Sequence, residues 1–248
     1  MLTAAMTAYR AWLASGGPAP AIVAGHSLGE YSALVAAGAL SFGDALPLVR
    51  FRAEAMQRAV PEGQGAMAAI LGLDDDAARA ACGDAAQGEV VQAVNFNAPG
   101  QVVIAGHKSA VARAIEACKA RGAKRAMPLP VSAPFHSSLM QPAADKLKAY
   151  LLNVQMSVPG IPLINNVDVK NEADPALIKD ALARQAASPV RWAETIRAMG
   201  AQGVTHVVEC GPGKVLAGLV KRIAPQVQGI AAADRASLEQ ALATIKGG

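Results

Sequence analysis

Apolar runs of strand length alternate with helix-length segments along most of this chain, and that alternation limits its fold more than any other feature. Ala21–Ala24 is a short apolar run between Pro20 and Gly25, Leu28–Ala39 is helical in character, and a second helix spans Phe42–Val60 until Pro61-Glu62-Gly63 stops it. After Pro130 the rhythm resumes. Helices are expected over Ala143–Leu152, Pro175–Ala187, Val190–Met199, Val215–Ile223 and Leu238–Ile245, and strands over Ile161–Asn165, Val204–Glu209 and Ile230–Ala233. Such alternation predicts an α/β fold, a mostly parallel sheet with helices on both faces.

Residues 61–130 follow a different order. Strand Ala66–Leu73, helix Asp74–Ala86, strands Val90–Asn95 and Gln101–Gly106, helix Lys108–Arg121 and strand Ala123–Leu129 give β-α-β-β-α-β, the split pattern of ferredoxin-like units. Asn97-Ala98-Pro99-Gly100 is the turn between the two middle strands. The expected division is a large α/β unit of residues 1–60 and 131–248, with a small ferredoxin-like α+β unit inserted at 61–130.

With 248 residues, 52% of them hydrophobic and 17% charged, the chain can bury a sizeable core and does not read as disordered. Charge and gaps rule out other classes. The apolar stretches are broken by Gly, Pro and charges before they reach bilayer length, so no membrane span is expected. No secretory leader is recognisable at the front. Three widely spaced cysteines form neither a disulfide framework nor a zinc pattern, so no metal is expected and a reducing cytoplasm is the natural setting. A net charge of +4 without interleaved aromatics is not a nucleic-acid signature.

Gly25-His26-Ser27-Leu28-Gly29 fits G-x-S-x-G at a strand-to-helix junction, as in hydrolase-like folds. There a sharp turn projects the Ser27 hydroxyl as a nucleophile, and the unpaired N–H of Leu28 faces a developing oxyanion. The plain alternative is a tight turn with no chemistry. A serine nucleophile needs a base. Of four histidines, His26 adjoins the nucleophile and should point away, His107 ends a strand of the small unit, and His206 lies in an apolar strand as a hydrogen-bonded core residue. His136, in the loop Ser132-Ala133-Pro134-Phe135-His136-Ser137-Ser138, leads on position, although a loop histidine can equally be merely solvated.

The stretch from Gly25 through Glu30-Tyr31-Ser32-Ala33-Leu34 resembles the nucleophile motif of the malonyl-CoA:acyl carrier protein transacylases and related acyltransferase domains. Gly65-Ala66-Met67-Ala68-Ala69, Asn95-Phe96-Asn97-Ala98-Pro99-Gly100-Gln101, Phe135-His136-Ser137-Ser138-Leu139-Met140 and Gly211-Pro212-Gly213-Lys214 extend the resemblance over essentially the whole chain. It implies malonyl transfer from malonyl-CoA to the phosphopantetheine thiol of acyl carrier protein in fatty acid biosynthesis, with no bound cofactor. It further implies that Ser27 is acylated, that His136 is its base, and that the main-chain carbonyl of Gln185 orients His136. Arg52 would grip the substrate carboxylate, as a guanidinium can do bidentately. Phe135 would disfavour a branched acyl group, by a pocket effect of about 1–3 kcal/mol per methylene. Lys124 and Arg125, in a basic run with Lys119 and Arg121, would face the acidic carrier protein. The enzyme is expected to be a monomer.

Members of that family begin with a first strand and a Gly-Gln-Gly-Ser-Gln motif that supplies a second oxyanion donor. Here Met1-Leu2-Thr3 corresponds to a helix well inside the family sequence. One central strand and one donor fewer are therefore expected, and loss of such a donor costs about 10²- to 10³-fold in rate. The competing readings are a serine esterase or thioesterase, which would need an acidic residue and a late histidine after the nucleophile, and a catalytically impaired fragment that only binds the carrier. A P-loop at Gly211-Pro212-Gly213-Lys214 lacks the required spacing.

Overall fold

The computed structural model describes residues 1–131 and 133–247; Ser132, at the head of the His136 loop, and Gly248 lie outside the described residues. The fold is α/β. Helix α1 (Leu2–Ala14) leads to the two-residue strand β1 (Val23–Ala24), then α2 (Gly29–Ala36) and α3 (Phe42–Gln57). Helix α2 is shorter than its sequence pattern because Gly38, at φ 71°, turns the chain left-handed, and Ala39 and Gly38 donate back to Leu34 and Val35. At the front of α3, the Ser41 hydroxyl accepts the Asp44 N–H at 3.0 Å.

Strand β2 (Gly65–Leu71), α4 (Asp75–Ala86), β3 (Val91–Ala98), β4 (Gln101–His107), α5 (Lys108–Ala120) and β5 (Arg125–Pro128) follow in the expected order. They form one four-stranded antiparallel sheet in the order β3-β4-β2-β5. Its core joins Ile70, Val102 and Ile104 to Ala78, Ala81, Ala114 and Ile115 of the two helices. Small alanines at helical spacing let α4 and α5 lie close on the sheet.

The remainder comprises α6 (Gln141–Leu151), β6 (Leu163–Ile164), α7 (Pro175–Gln185), α8 (Trp192–Ala201), β7 (His206–Cys210), α9 (Val215–Ile223), β8 (Gln228–Ala232) and α10 (Arg235–Lys246). Here the structure corrects the expectation of one mostly parallel sheet. Among the described residues there are two separate parallel ladders, β1 with β6 and β7 with β8. β1 and β6 are cut short for local reasons. Pro162 has no N–H to give, and beyond Ile164 the backbone turns away, Asn165 N–H to Lys170 O and Asn166 N–H to the Glu30 carboxylate. The largest core packs Tyr31, Leu34 and Leu48 of α2 and α3 against Leu147, Leu151 and Leu182 of α6 and α7. Among the described residues no helix is long and apolar enough to cross a membrane.

Candidate active site

The turn from β1 to α2 is tight enough to require glycine at its first position. A Cβ on Gly25 would lie 1.9 Å from the main-chain carbon of Gly29 and 2.0 Å from its oxygen, and backbone cannot rotate out of the way. Gly25→Ala should therefore destabilise the fold at or above the top of the usual overpacking range of about 1–3 kcal/mol, measured as a lowered urea midpoint. Ser27 then sits at φ 52° and His136 at φ 66°, two of the four described non-glycine residues with positive φ. Strain of this kind gathers where surrounding bonds hold it, and both residues are so held.

The Ser27 N–H donates to Asn166 Oδ1 at 2.7 Å, and Asn166 Nδ2 donates to Gly25 O at 2.8 Å, which pins the turn from outside. With the Ser27 N–H occupied, the Leu28 N–H is the first donor of the α2 turn without an acceptor among the described residues. An oxyanion formed at the Ser27 hydroxyl would find it there.

Ser27 Oγ lies 2.7 Å from His136 Nε2, and His136 Nδ1 lies 2.8 Å from Gln185 O. A carbonyl only accepts, so Nδ1 carries the proton, Nε2 is the free base, and the Ser27 hydroxyl donates to it. The carbonyl is available because Gln185 is the last residue of α7, where carbonyls lack a helical partner. The helix C-terminus also favours the imidazolium that forms when His136 accepts a proton. Burial and then the charge of Arg52 lower the His136 pKa to about 3.

Arg52 is 5% exposed and reaches in from α3. Its Nη2 donates to Ser27 Oγ at 2.9 Å and to Gln185 Oε1 at 3.0 Å, while its buried Nε has no partner. Among the described residues Arg52 makes no salt bridge, so it is a buried cation with a donor to spare beside the Ser27 hydroxyl. His26, Ser27, Arg52, Met56, Met67, Asn95, Phe135 and His136 border a cleft of about 370 Å³. Met67 and Asn95 come from β2 and β3, so the antiparallel sheet supplies one wall. A Cβ on Gly65 would lie 2.3 Å from Pro134 Cδ, a close approach that seats this sheet against the His136 loop.

The structure thus brings Ser27, Leu28, Arg52, Phe135, His136 and Gln185 together. Lys124 and Arg125 are exposed where the chain enters β5, at the sheet edge. His26 points away from the serine, with Nε2 on Asn97 Oδ1 at 2.8 Å and its ring edge-on to Trp192. His107 Nδ1 accepts the Val90 N–H. His206 is not the core residue expected: it is half-buried and pairs with the neighbouring Thr205 hydroxyl. No group of three potential metal ligands occurs among the described residues. Three contributors went unread in the sequence: Asn166, Glu30 and the Gln185 side chain. Only the fit of Glu30 to the extended nucleophile motif hinted at any of them.

A serine hydroxyl on a histidine of fixed tautomer, beside a buried guanidinium, is an arrangement that can carry out acyl transfer. Residues 1–240 match the acyl transferase domain family. The chain belongs to that family. It is 57% identical over 242 residues to the malonyl CoA-acyl carrier protein transacylase of Escherichia coli K12, covering 98% of this chain and 78% of that protein. The acyl-carrier-protein S-malonyltransferase of Burkholderia pseudomallei superposes with a TM-score of 0.95 at 64% identity, over 97% of this chain and 78% of that one. A malonyl-transacylase solved in complex with its type II PKS acyl-carrier protein superposes at 0.96 with 53% identity, over 98% and 79%.

Proposed function

We propose that this acyltransferase moves a malonyl group from malonyl-CoA to the phosphopantetheine thiol of acyl carrier protein through a malonyl-serine at Ser27. The carrying observation is the convergence of His136 Nε2 and Arg52 Nη2 on one hydroxyl, at 2.7 and 2.9 Å. Ser27 Oγ attacks the thioester carbonyl and its proton passes to His136 Nε2. The Leu28 N–H steadies the oxyanion. The C–S bond then breaks, and the imidazolium returns the proton to the CoA sulfur. In the second half the carrier thiol gives its proton to His136 and attacks the ester, and Ser27 Oγ recovers the proton on leaving.

The same reading gives Arg52 the substrate carboxylate, for which its unpaired Nε is the expected kind of donor. Phe135, at the cleft wall, limits branching next to the carbonyl. Residues 61–130 act as a ferredoxin-like subdomain, inserted into a large unit of residues 1–60 and 131–248, that closes the acyl cleft. Lys124 and Arg125 receive the acidic carrier, and charge reversal there should weaken carrier transfer in a salt-dependent way. The likeness to a transacylase solved with its carrier protein supports that partner.

Intact-protein mass spectrometry after brief mixing with malonyl-CoA tests the central step. A malonyl-sized gain that is abolished in Ser27→Ala is the expected result. A folded wild-type protein that gains no mass would overturn the reading in favour of a carrier-binding fragment. Rapid loss of the adduct to water in the presence of carrier thiol would favour a thioesterase.

A further inference from the structure

Glu30 is 1% exposed, carries no salt bridge among the described residues, and has no part in the proton transfers above. Its Oε2 accepts from Gln185 Nε2 at 2.8 Å and from the Asn166 N–H at 3.0 Å. Both partners act directly on the reacting groups. Gln185 Oε1 holds Arg52, Gln185 Nε2 also donates to Ser27 O at 3.1 Å, and its carbonyl orients His136. Asn166 holds the Ser27 N–H.

Resting on the malonyl-transfer reading, we propose that Glu30 is a positioning residue whose carboxylate sets the direction of the Gln185 side-chain amide and so fixes Arg52 for the substrate carboxylate. The argument is one of donors and acceptors. An amide has a donor end and an acceptor end. An ionised carboxylate accepts only, so the NH₂ end must face Glu30. The C=O end is then the one that meets Arg52, which can only donate. Reversing the amide would set NH₂ against a guanidinium and leave a carboxylate facing a carbonyl. The Glu30 charge makes the observed orientation much the stronger one, since bonds to ionised groups are about twice as strong as neutral ones.

This arrangement titrates. Burial raises the Glu30 pKa to about 7, opposed by the bonds from Gln185 and Asn166 and by Arg52. The charged groups that act on it are Arg52 from α3 and Asp168 from the turn after β6, and Tyr31 on its own helix is coupled to it. As pH falls through about 7 the carboxylate gains a proton, its hold on the amide weakens, and Arg52 is less firmly placed. His136, lowered to about 3, does not account for a fall in that range.

The test compares the unsubstituted protein with Glu30→Gln and Glu30→Asp. Misplacement by about 1 Å at a reacting centre can cost about 10²-fold. In Glu30→Gln, kcat/KM for malonyl-CoA should fall by about that factor and that for acetyl-CoA by under about tenfold, with the acid limb near pH 7 removed. Glu30→Asp should recover part of the malonyl rate and the limb. Equal losses toward both acyl-CoAs with a lowered thermal midpoint would mean a merely structural role and overturn the proposal, as would an unchanged rate and pH profile. A second readout does not depend on turnover. The Arg52 Nε–H resonance, followed by NMR with free malonate as probe, should be sharp and malonate-responsive in wild type and broadened in Glu30→Gln. An identical response in both overturns the proposal, whatever the acylation assay shows of the function itself.

Discussion

His136→Ala is expected to slow acylation of Ser27 by malonyl-CoA by about 10²- to 10⁴-fold in single-turnover mixing, with the fold intact. The replacement removes the only base in hydrogen-bonding contact with Ser27 Oγ among the described residues; Arg52, which remains there, only donates. The Leu28 N–H and the cleft survive, so a residual rate should persist. The protein should also show which ionisation matters. With its pKa lowered to about 3, His136 stays neutral across the neutral range, and its protonation cannot set an acid limb there. A substrate carboxylate on Arg52 would cancel part of the charge that depresses it, raising its basicity when substrate is in place. In the unfolded chain the ring takes up its proton near 6.5, so this group's stabilisation is present above 6.5 and lost as pH falls toward 3. Glu30 works the other way: its raised pKa contributes stability that is full below about 4.5 and lost as pH rises through about 7. His136→Ala should therefore flatten the acid loss of stability, as read from urea midpoints at successive pH values. Near-normal acylation in His136→Ala would remove the base assignment.

Much of this molecule was legible because local patterns carried it. Helix α9 runs over Val215–Ile223 as its apolar spacing indicates, and the β-α-β-β-α-β order of residues 65–128 follows from alternation between periods of two and 3.6. The strained Ser27 turn could be read from Gly25 and Gly29 on either side. What stayed hidden depends on contacts between distant residues. Glu30 occupies the first turn of α2, where an acidic residue ordinarily faces solvent and complements the helix dipole. Its burial follows from Asn166 and Gln185, which lie 136 and 155 residues away. Asn97 shows the same limit: its neighbours mark a turn, and nothing local says that its carboxamide meets His26. The sheet was over-read because an apolar run records burial, not pairing. Ala21–Ala24 is apolar throughout, yet only Val23 and Ala24 pair with β6.

Arg52→Ala should separate the two acyl donors more than any other single change. For malonyl-CoA, loss of a buried, hydrogen-bonded charge partner costs about 2–5 kcal/mol, so kcat/KM should fall by about 30- to 5,000-fold. For acetyl-CoA there is no carboxylate to hold, and two effects oppose one another. The hydroxyl loses a donated hydrogen bond of 2.9 Å that steadies it, which slows attack. His136 loses a nearby positive charge that lowers its pKa, which makes it a better base. The net change should stay within about tenfold, since a single hydrogen bond contributes about 0.5–1.5 kcal/mol. Arg52→Lys tests geometry separately from charge. An ammonium keeps the positive charge near His136 but cannot hold Ser27 and Gln185 through Nη2 while leaving Nε–H free for a carboxylate, so it should recover only part of the malonyl rate. The measurement is kcat/KM for both acyl-CoAs in wild type and both variants. Equal losses toward malonyl- and acetyl-CoA would show that Arg52 serves only the serine, and the substrate carboxylate would then need another partner in the cleft.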